Sequence, residues 1–111
     1  MAEPYRFAWA GLDNRGADLL ERYSDIIIQA SPVGMAPDVD ADPIEFYGFS
    51  GRETVMDLIY HPEKTRCLRR AEEAGCRILN GYDMLLRQAR YQYVHFMDKD
   101  FPPSLVTRVG L

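Results

Sequence analysis

Three consecutive isoleucines, Ile26-Ile27-Ile28, set the terms for the rest of the chain. β-Branched side chains are stiff at χ1 and pack well on a pleated surface, so the run reads as a strand. It does not alternate with polar residues. An unbroken apolar run of this length is expected of a strand covered on both faces, as in a parallel sheet. It is far below the ~20 apolar residues that a membrane span needs. Two further runs have the same character. Thr54-Val55-Met56-Asp57-Leu58-Ile59-Tyr60 ends at His61-Pro62, and Arg77-Ile78-Leu79 is broken by Gly81.

Helical patterns fill the spaces between these strands. Residues 13–23 read as a helix capped by Asp13 or Asn14, with Ala17 and Leu20 on one side. Thr65 caps a second helix over 66–74, where Cys67, Leu68, Ala71 and Ala74 recur at helical spacing and Gly75 supplies a left-handed stop. Residues 82–97 form the longest helix, and Phe101-Pro102-Pro103 begins a terminal helical turn. Residues 31–51 are loop-rich, with Pro32, Gly34, Pro37, Pro43, Gly48 and Gly51. A further short strand is expected over 5–9 from its rough alternation. The order implies βαβ crossovers: an α/β fold with a mainly parallel, three- to four-stranded sheet and flanking helices. Ligands in such sheets sit beyond the carboxyl ends of the strands. Segments 30–35, 60–65 and 80–84 occupy those ends.

Composition narrows the function classes. The chain has 111 residues and a formal charge of −4, which excludes a nucleic-acid binder that relies on bulk positive charge. One domain over 1–111 is expected. Two cysteines, Cys67 and Cys76, make neither a disulfide framework nor a four-ligand zinc pattern, so free thiols in a reducing cytoplasm are expected. No basic segment precedes an apolar stretch at the N-terminus, so no secretory leader is expected. No metal site is expected, because His61 and His95 share no ligand spacing with the cysteines.

The three strand-end segments resemble the C-terminal half of the shikimate dehydrogenase family. The blocks are Asp25-Ile26-Ile27-Ile28-Gln29-Ala30-Ser31-Pro32-Val33-Gly34-Met35, then Val55-Met56-Asp57-Leu58-Ile59-Tyr60-His61-Pro62-Glu63-Lys64-Thr65, then Asn80-Gly81-Tyr82-Asp83-Met84-Leu85-Leu86-Arg87-Gln88-Ala89. Order and spacing agree over about 25–97. Gln29 and Ser31 depart from the family's usual Asn and Thr while remaining polar.

The resemblance implies a partial Rossmann-like, doubly wound domain from an enzyme that reduces 3-dehydroshikimate to shikimate with NADPH. Some members are fused to a 3-dehydroquinate dehydratase, and this chain is compatible with such a parent. Cofactor-facing roles fall on Ala30, Ser31, Leu58, Gly81 and Met84, and substrate-facing roles on Tyr60 and Gln88. The family's catalytic Lys and Asp belong to an N-terminal substrate domain, and its Gly-rich phosphate loop follows an earlier strand. No Gly-x-Gly-x-x-Gly run occurs here, so no catalytic residue is expected in this chain, and NADP binding by the chain alone is expected to be weak or absent. Asn14-Arg15 resembles the family's phosphate-holding Asn-Arg-Thr, but it precedes Asp25 too closely for a helix and strand to intervene.

Plainer readings stand beside these. Gln88 reads equally as a helix-surface amide, and Tyr60 as a packing anchor. Met84, without the resemblance, reads as a core methionine. Along the last long helix, Met84, Gln88, Tyr91 and His95 are expected to share one stripe while Leu85, Ala89 and Phe96 face the sheet. Lys64 reads as a solvated loop cation rather than a proton donor. Asp38, Asp40 and Asp42 read as a solvated acidic loop. Arg66, Arg69, Arg70 and Arg77 include two that sit beside Glu72 and Glu73, favouring helix-surface ion pairs. The Ile26 strand is expected to present an open apolar edge, which recruits other strands. Hence the alternative function is a non-catalytic module that assembles through that edge, as a homodimer or with a missing half, or one that binds a shikimate-like ligand without redox chemistry. The small-molecule partner is expected with no nucleic acid and no membrane.

Overall fold

The computed structural model describes residues 8–109. Its centre is a three-stranded parallel sheet of β1 (Ile26–Gln29), β2 (Thr54–Asp57) and β3 (Arg77–Leu79), in the order β1-β2-β3. Ile27, Val55 and Ile78 lie side by side in register, as do Ile28, Met56 and Leu79. Successive side chains point to opposite faces, so these two rows belong to different faces of the sheet.

The face that carries Ile27, Val55 and Ile78 holds the core. Helix α2 (Arg66–Glu73) packs on it through Cys67, Leu68 and Ala71, and Ile44 and Tyr47 complete the cluster. Thr65 caps α2 as expected, accepting from Leu68 N at 3.2 Å, and Gly75 takes φ +96° just beyond the helix. Both cysteines are free and buried.

No helix joins β1 to β2. The connecting loop lies over α2 and supplies Ile44 and Tyr47 where a crossover helix would supply its apolar face. The expected acidic loop is therefore partly internal. The Asp42 side chain is fully buried; it receives Arg70 Nε at 2.6 Å and caps Ile44 N at 2.9 Å. Arg66 pairs with Glu45 at 2.7 Å, and Glu72 pairs with Lys64 at 2.9 Å. Arg66 and Arg70 of α2 thus reach across to the loop instead of pairing along their own helix.

Other elements depart further from expectation. The helix at 13–23 is divided into a 3-10 turn at Asn14–Gly16, capped by Asp13, and α1 (Ala17–Tyr23). The second strand stops at Asp57. Strand β1 is covered on one face only: Ile27 and Gln29 are buried, while Ile26 is 67% and Ile28 60% exposed. Residues 5–7 of the expected first strand lie outside the described residues, and Ala8 and Trp9 are not in a strand. Helix α3 (Tyr82–Met97) has the expected bounds but buries none of its residues. Leu85 is half-buried, Ala89 is exposed and Phe96 is 80% exposed, so the expected sheet-facing stripe is not formed. The helix stands off the sheet and leaves a cleft of about 870 Å³ against Met56, Leu68 and Ile78. A short α4 (Pro103–Val109) follows, after Tyr93 and Phe101 meet at 5.0 Å and Arg90 pairs with Asp100.

Candidate functional site

All three strands run the same way, so the turns after Gln29, Asp57 and Leu79 meet on one rim of the sheet. Ligands in doubly wound sheets bind at this end. The rim is built tightly. Gly81 N donates to Ile59 O at 3.0 Å, which ties the third turn to the second. A Cβ on Gly81 would lie 1.9 Å from Leu58 O, so backbone meets backbone there and only glycine fits. Leu58 N in turn donates to Gln29 O at 3.0 Å and joins the second turn to the first.

Two clefts open along this rim. Ala30, Ser31, Leu58 and Tyr60 line one of about 570 Å³, together with Met35 and His61. Met84 and Gln88 line the larger cleft under α3, with Asn80, Asp83 and Arg87. A polar notch bounded by Tyr60, His61, Glu63, Asn80, Tyr82 and Asp83 shares walls with both. The seven residues singled out from the sequence therefore fall in two groups, with the buried Gly81 belonging to neither cleft wall. Tyr60, Met84 and Gln88 are exposed. Lys64 pairs with Glu72 and offers no unpaired cation to the rim.

A nicotinamide-type ring needs an apolar wall and backbone groups within reach, and the first cleft offers Ala30, Leu58 and Met35 beside the turn at Ser31. Met84, soft and polarizable, suits a ring face but stands in the neighbouring cleft. Among the described residues, no group of three or more His, Cys, Asp and Glu side chains is placed to hold a metal ion. Among them, too, no helix is long and apolar enough to cross a membrane.

Sequence reasoning missed a buried carboxylate beneath the rim. Asp57 is wholly buried and accepts from Gln29 Nε2 at 3.2 Å, Ile59 N at 3.0 Å and Thr65 Oγ1 at 2.8 Å. The available signal was a lone carboxylate inside an apolar run, Val55-Met56-Asp57-Leu58-Ile59, where an unpaired charge would be costly.

A parallel sheet with helices about it and its turns gathered at the carboxyl ends defines a partial Rossmann-like α/β unit. No family model matches the chain. The shikimate dehydrogenase (NADP(+)) of Salinibacter ruber is 37% identical over 95 residues, covering 81% of this chain and 32% of that protein. That of Desulforamulus reducens is 46% identical over 65 residues, covering 58% of this chain and 22% of that protein. Among solved structures, shikimate 5-dehydrogenase from Listeria monocytogenes, in complex with shikimate and NAD, superposes with a TM-score of 0.73. It is 27% identical, with 87% of this chain and 35% of that chain covered. The 5-ketofructose reductase of Gluconobacter sp. superposes with a TM-score of 0.61 at 28% identity, over 77% of this chain and 31% of that one. The chain belongs to the shikimate dehydrogenase family. It spans about a third or less of the length of these curated relatives.

Proposed function

We propose that residues 1–111 form a single unit, the carboxyl-terminal portion of the cofactor-binding domain of a shikimate dehydrogenase. The complete cytoplasmic enzyme reduces 3-dehydroshikimate to shikimate with NADPH. The observation that carries this reading is the gathering of three turns on one rim, locked by the Gly81–Leu58 backbone contact. NADPH, when bound, supplies the hydride. Ala30, Ser31 and Leu58 would hold the nicotinamide end in the first cleft, with the Gly81 backbone beside them, and Met84, from the neighbouring cleft, would shield the ring from water. Tyr60 and Gln88 face the substrate, where the Gln88 amide offers both a donor and an acceptor to a polyol.

The catalytic Lys and Asp and the Gly-rich phosphate loop come from other parts of the enzyme. Diphosphate contacts at a helix N-terminus contribute much of dinucleotide affinity. These residues alone therefore catalyse nothing and bind NADP weakly or not at all. The test is reconstitution: the chain is mixed with a separately expressed polypeptide carrying the preceding two thirds of a family member. Shikimate-dependent NADP+ reduction is expected in the mixture and in neither part. A mixture that associates but stays inactive overturns the reading. In an active mixture, Gln88→Ala is expected to raise the Michaelis constant for shikimate, and not that for NADP+, by roughly two- to tenfold, the effect of losing one neutral hydrogen bond.

One observation favours a second reading. Ile26 and Ile28 are exposed on the edge strand, so the chain can serve as a non-catalytic module that pairs through this edge with a second copy, with or without a shikimate-like ligand at the rim. A stable dimer that does not bind NADP+ and does not recruit the missing lobe, with or without shikimate bound, is the outcome that selects it.

A further inference from the structure

We propose that Asp57 is a positioning residue, the single carboxylate that sets the geometry of the whole rim; its functional meaning rests on the reading that cofactor and substrate meet there. Three separate segments donate to it. Gln29 closes the first strand, Ile59 opens the second turn, and Thr65 opens α2. Each donor is itself held from behind. Gln29 Oε1 accepts from Ser31 N, which fixes the start of the first turn. Ile59 O accepts from Gly81 N, which carries the constraint to the third turn. Thr65 Oγ1 accepts from Leu68 N, so its one proton is directed at Asp57.

The arrangement calls for a carboxylate. Two donors converge on Oδ1 and a third on Oδ2, so both oxygens must accept. An asparagine would turn an N–H₂ group toward one of these donors. Burying this carboxylate is costly, and a well-packed apolar side chain at the same place would often serve stability as well. What an apolar side chain cannot supply is a fixed relation between Ser31, Ile59 and Thr65. That relation orients Leu58 and Tyr60, which lie between the fixed points and line the first cleft.

The test uses the full chain without ligand, so it stands apart from the reconstitution assay: a rim that loosens as expected while the mixture stays inactive rejects the enzymatic reading and keeps this one. Asp57→Asn, Thr65→Val and Thr65→Ser are compared by backbone-amide hydrogen exchange. Thr54, bonded to Asp25 O at 2.9 Å at the far end of β2, serves as the internal reference. In Asp57→Asn and Thr65→Val, exchange at Ile59 and Gly81 is expected to accelerate at least about tenfold more than at Thr54. Thr65→Ser keeps the hydroxyl and is expected to restore both amides to within about twofold. If Asp57→Asn does not fold, Thr65→Val against Thr65→Ser decides. Equal acceleration at all three amides, or no change at the rim, overturns the proposal.

Discussion

Gly81 has an ordinary backbone conformation, with φ −81°, so it is required for room and not for conformational freedom. A methyl group placed there collides with Leu58 O, Leu58 C and Leu58 Cα together, and backbone cannot give way as a flexible side chain can. Gly81→Ala is expected to destabilise the chain by about 1–3 kcal/mol or to push α3 off the rim. Urea unfolding followed by circular dichroism reads the first outcome, and loss of the Gly81–Ile59 hydrogen bond in amide exchange reads the second. Glu53 makes a different prediction. Burial alone would raise its carboxyl, but the Ser50 hydroxyl and backbone amide and the Tyr47 hydroxyl donate to it and hold it at about 2, below its usual 4.5. A depressed carboxyl adds stability above its unfolded value and loses it as pH falls toward the folded one. Stability is therefore expected to drop between pH ~4.5 and ~2, by on the order of 3 kcal/mol from this group. Glu53→Gln should flatten urea midpoints across that window while lowering them at neutral pH.

At the scale of elements, two side chains of α2, Arg66 and Arg70, tie the β1–β2 loop down, and Arg70 makes the more buried tie. Arg70 bonds Asp42 at 2.6 Å, donates to Tyr47 O and Ile44 O at 2.9 Å each, and lies 5.1 Å from the centre of the Phe49 ring. Removing it strands a buried carboxylate, so Arg70→Met is expected to cost about 3 kcal/mol and to open the loop to proteolysis, whereas Arg70→Met with Asp42→Asn should recover part of the loss. Nothing local in the sequence announces this clamp. The three strands, α2 and α3 were legible because their signals are local: a β-branched run, a Thr cap, a Gly stop. The rim was legible for the same reason, since parallel strands must place their following turns together. Which carboxylate Arg70 meets, and the donors around Asp57, depend on residues 28 and 8 positions away that only the folded loop brings near. The face of α3 was misread because periodicity identifies an apolar stripe but not what lies opposite it. Here part of that stripe has no sheet to meet.

The whole molecule exposes 8510 Å², against about 6,300 Å² for a compact protein of this mass. Its Cα radius of gyration is 17.1 Å, where a compact domain of this length has about 13 Å. Large apolar side chains stand uncovered on the bare side of the sheet, where Ile26 and Ile28 sit near Trp9 and Tyr23, and on the distal half of α3, at Tyr91, Phe96 and Met97. Concentration-dependent association in sedimentation velocity is expected, and Ile28→Lys should shift the chain toward monomer with little change in urea midpoint, because a charge on an open edge opposes strand pairing. Amid so much uncovered surface, both sulfurs lie sealed between α2 and the sheet. Burial, with Asp42 and Asp57 nearby, pushes the Cys67 thiol up to about 12, and burial also raises Cys76. Neither can act as a nucleophile while the core is closed. The pair is thus a natural timer: alkylation with iodoacetamide should proceed only as fast as the protein breathes open, and docking of the right companion chain should slow that clock.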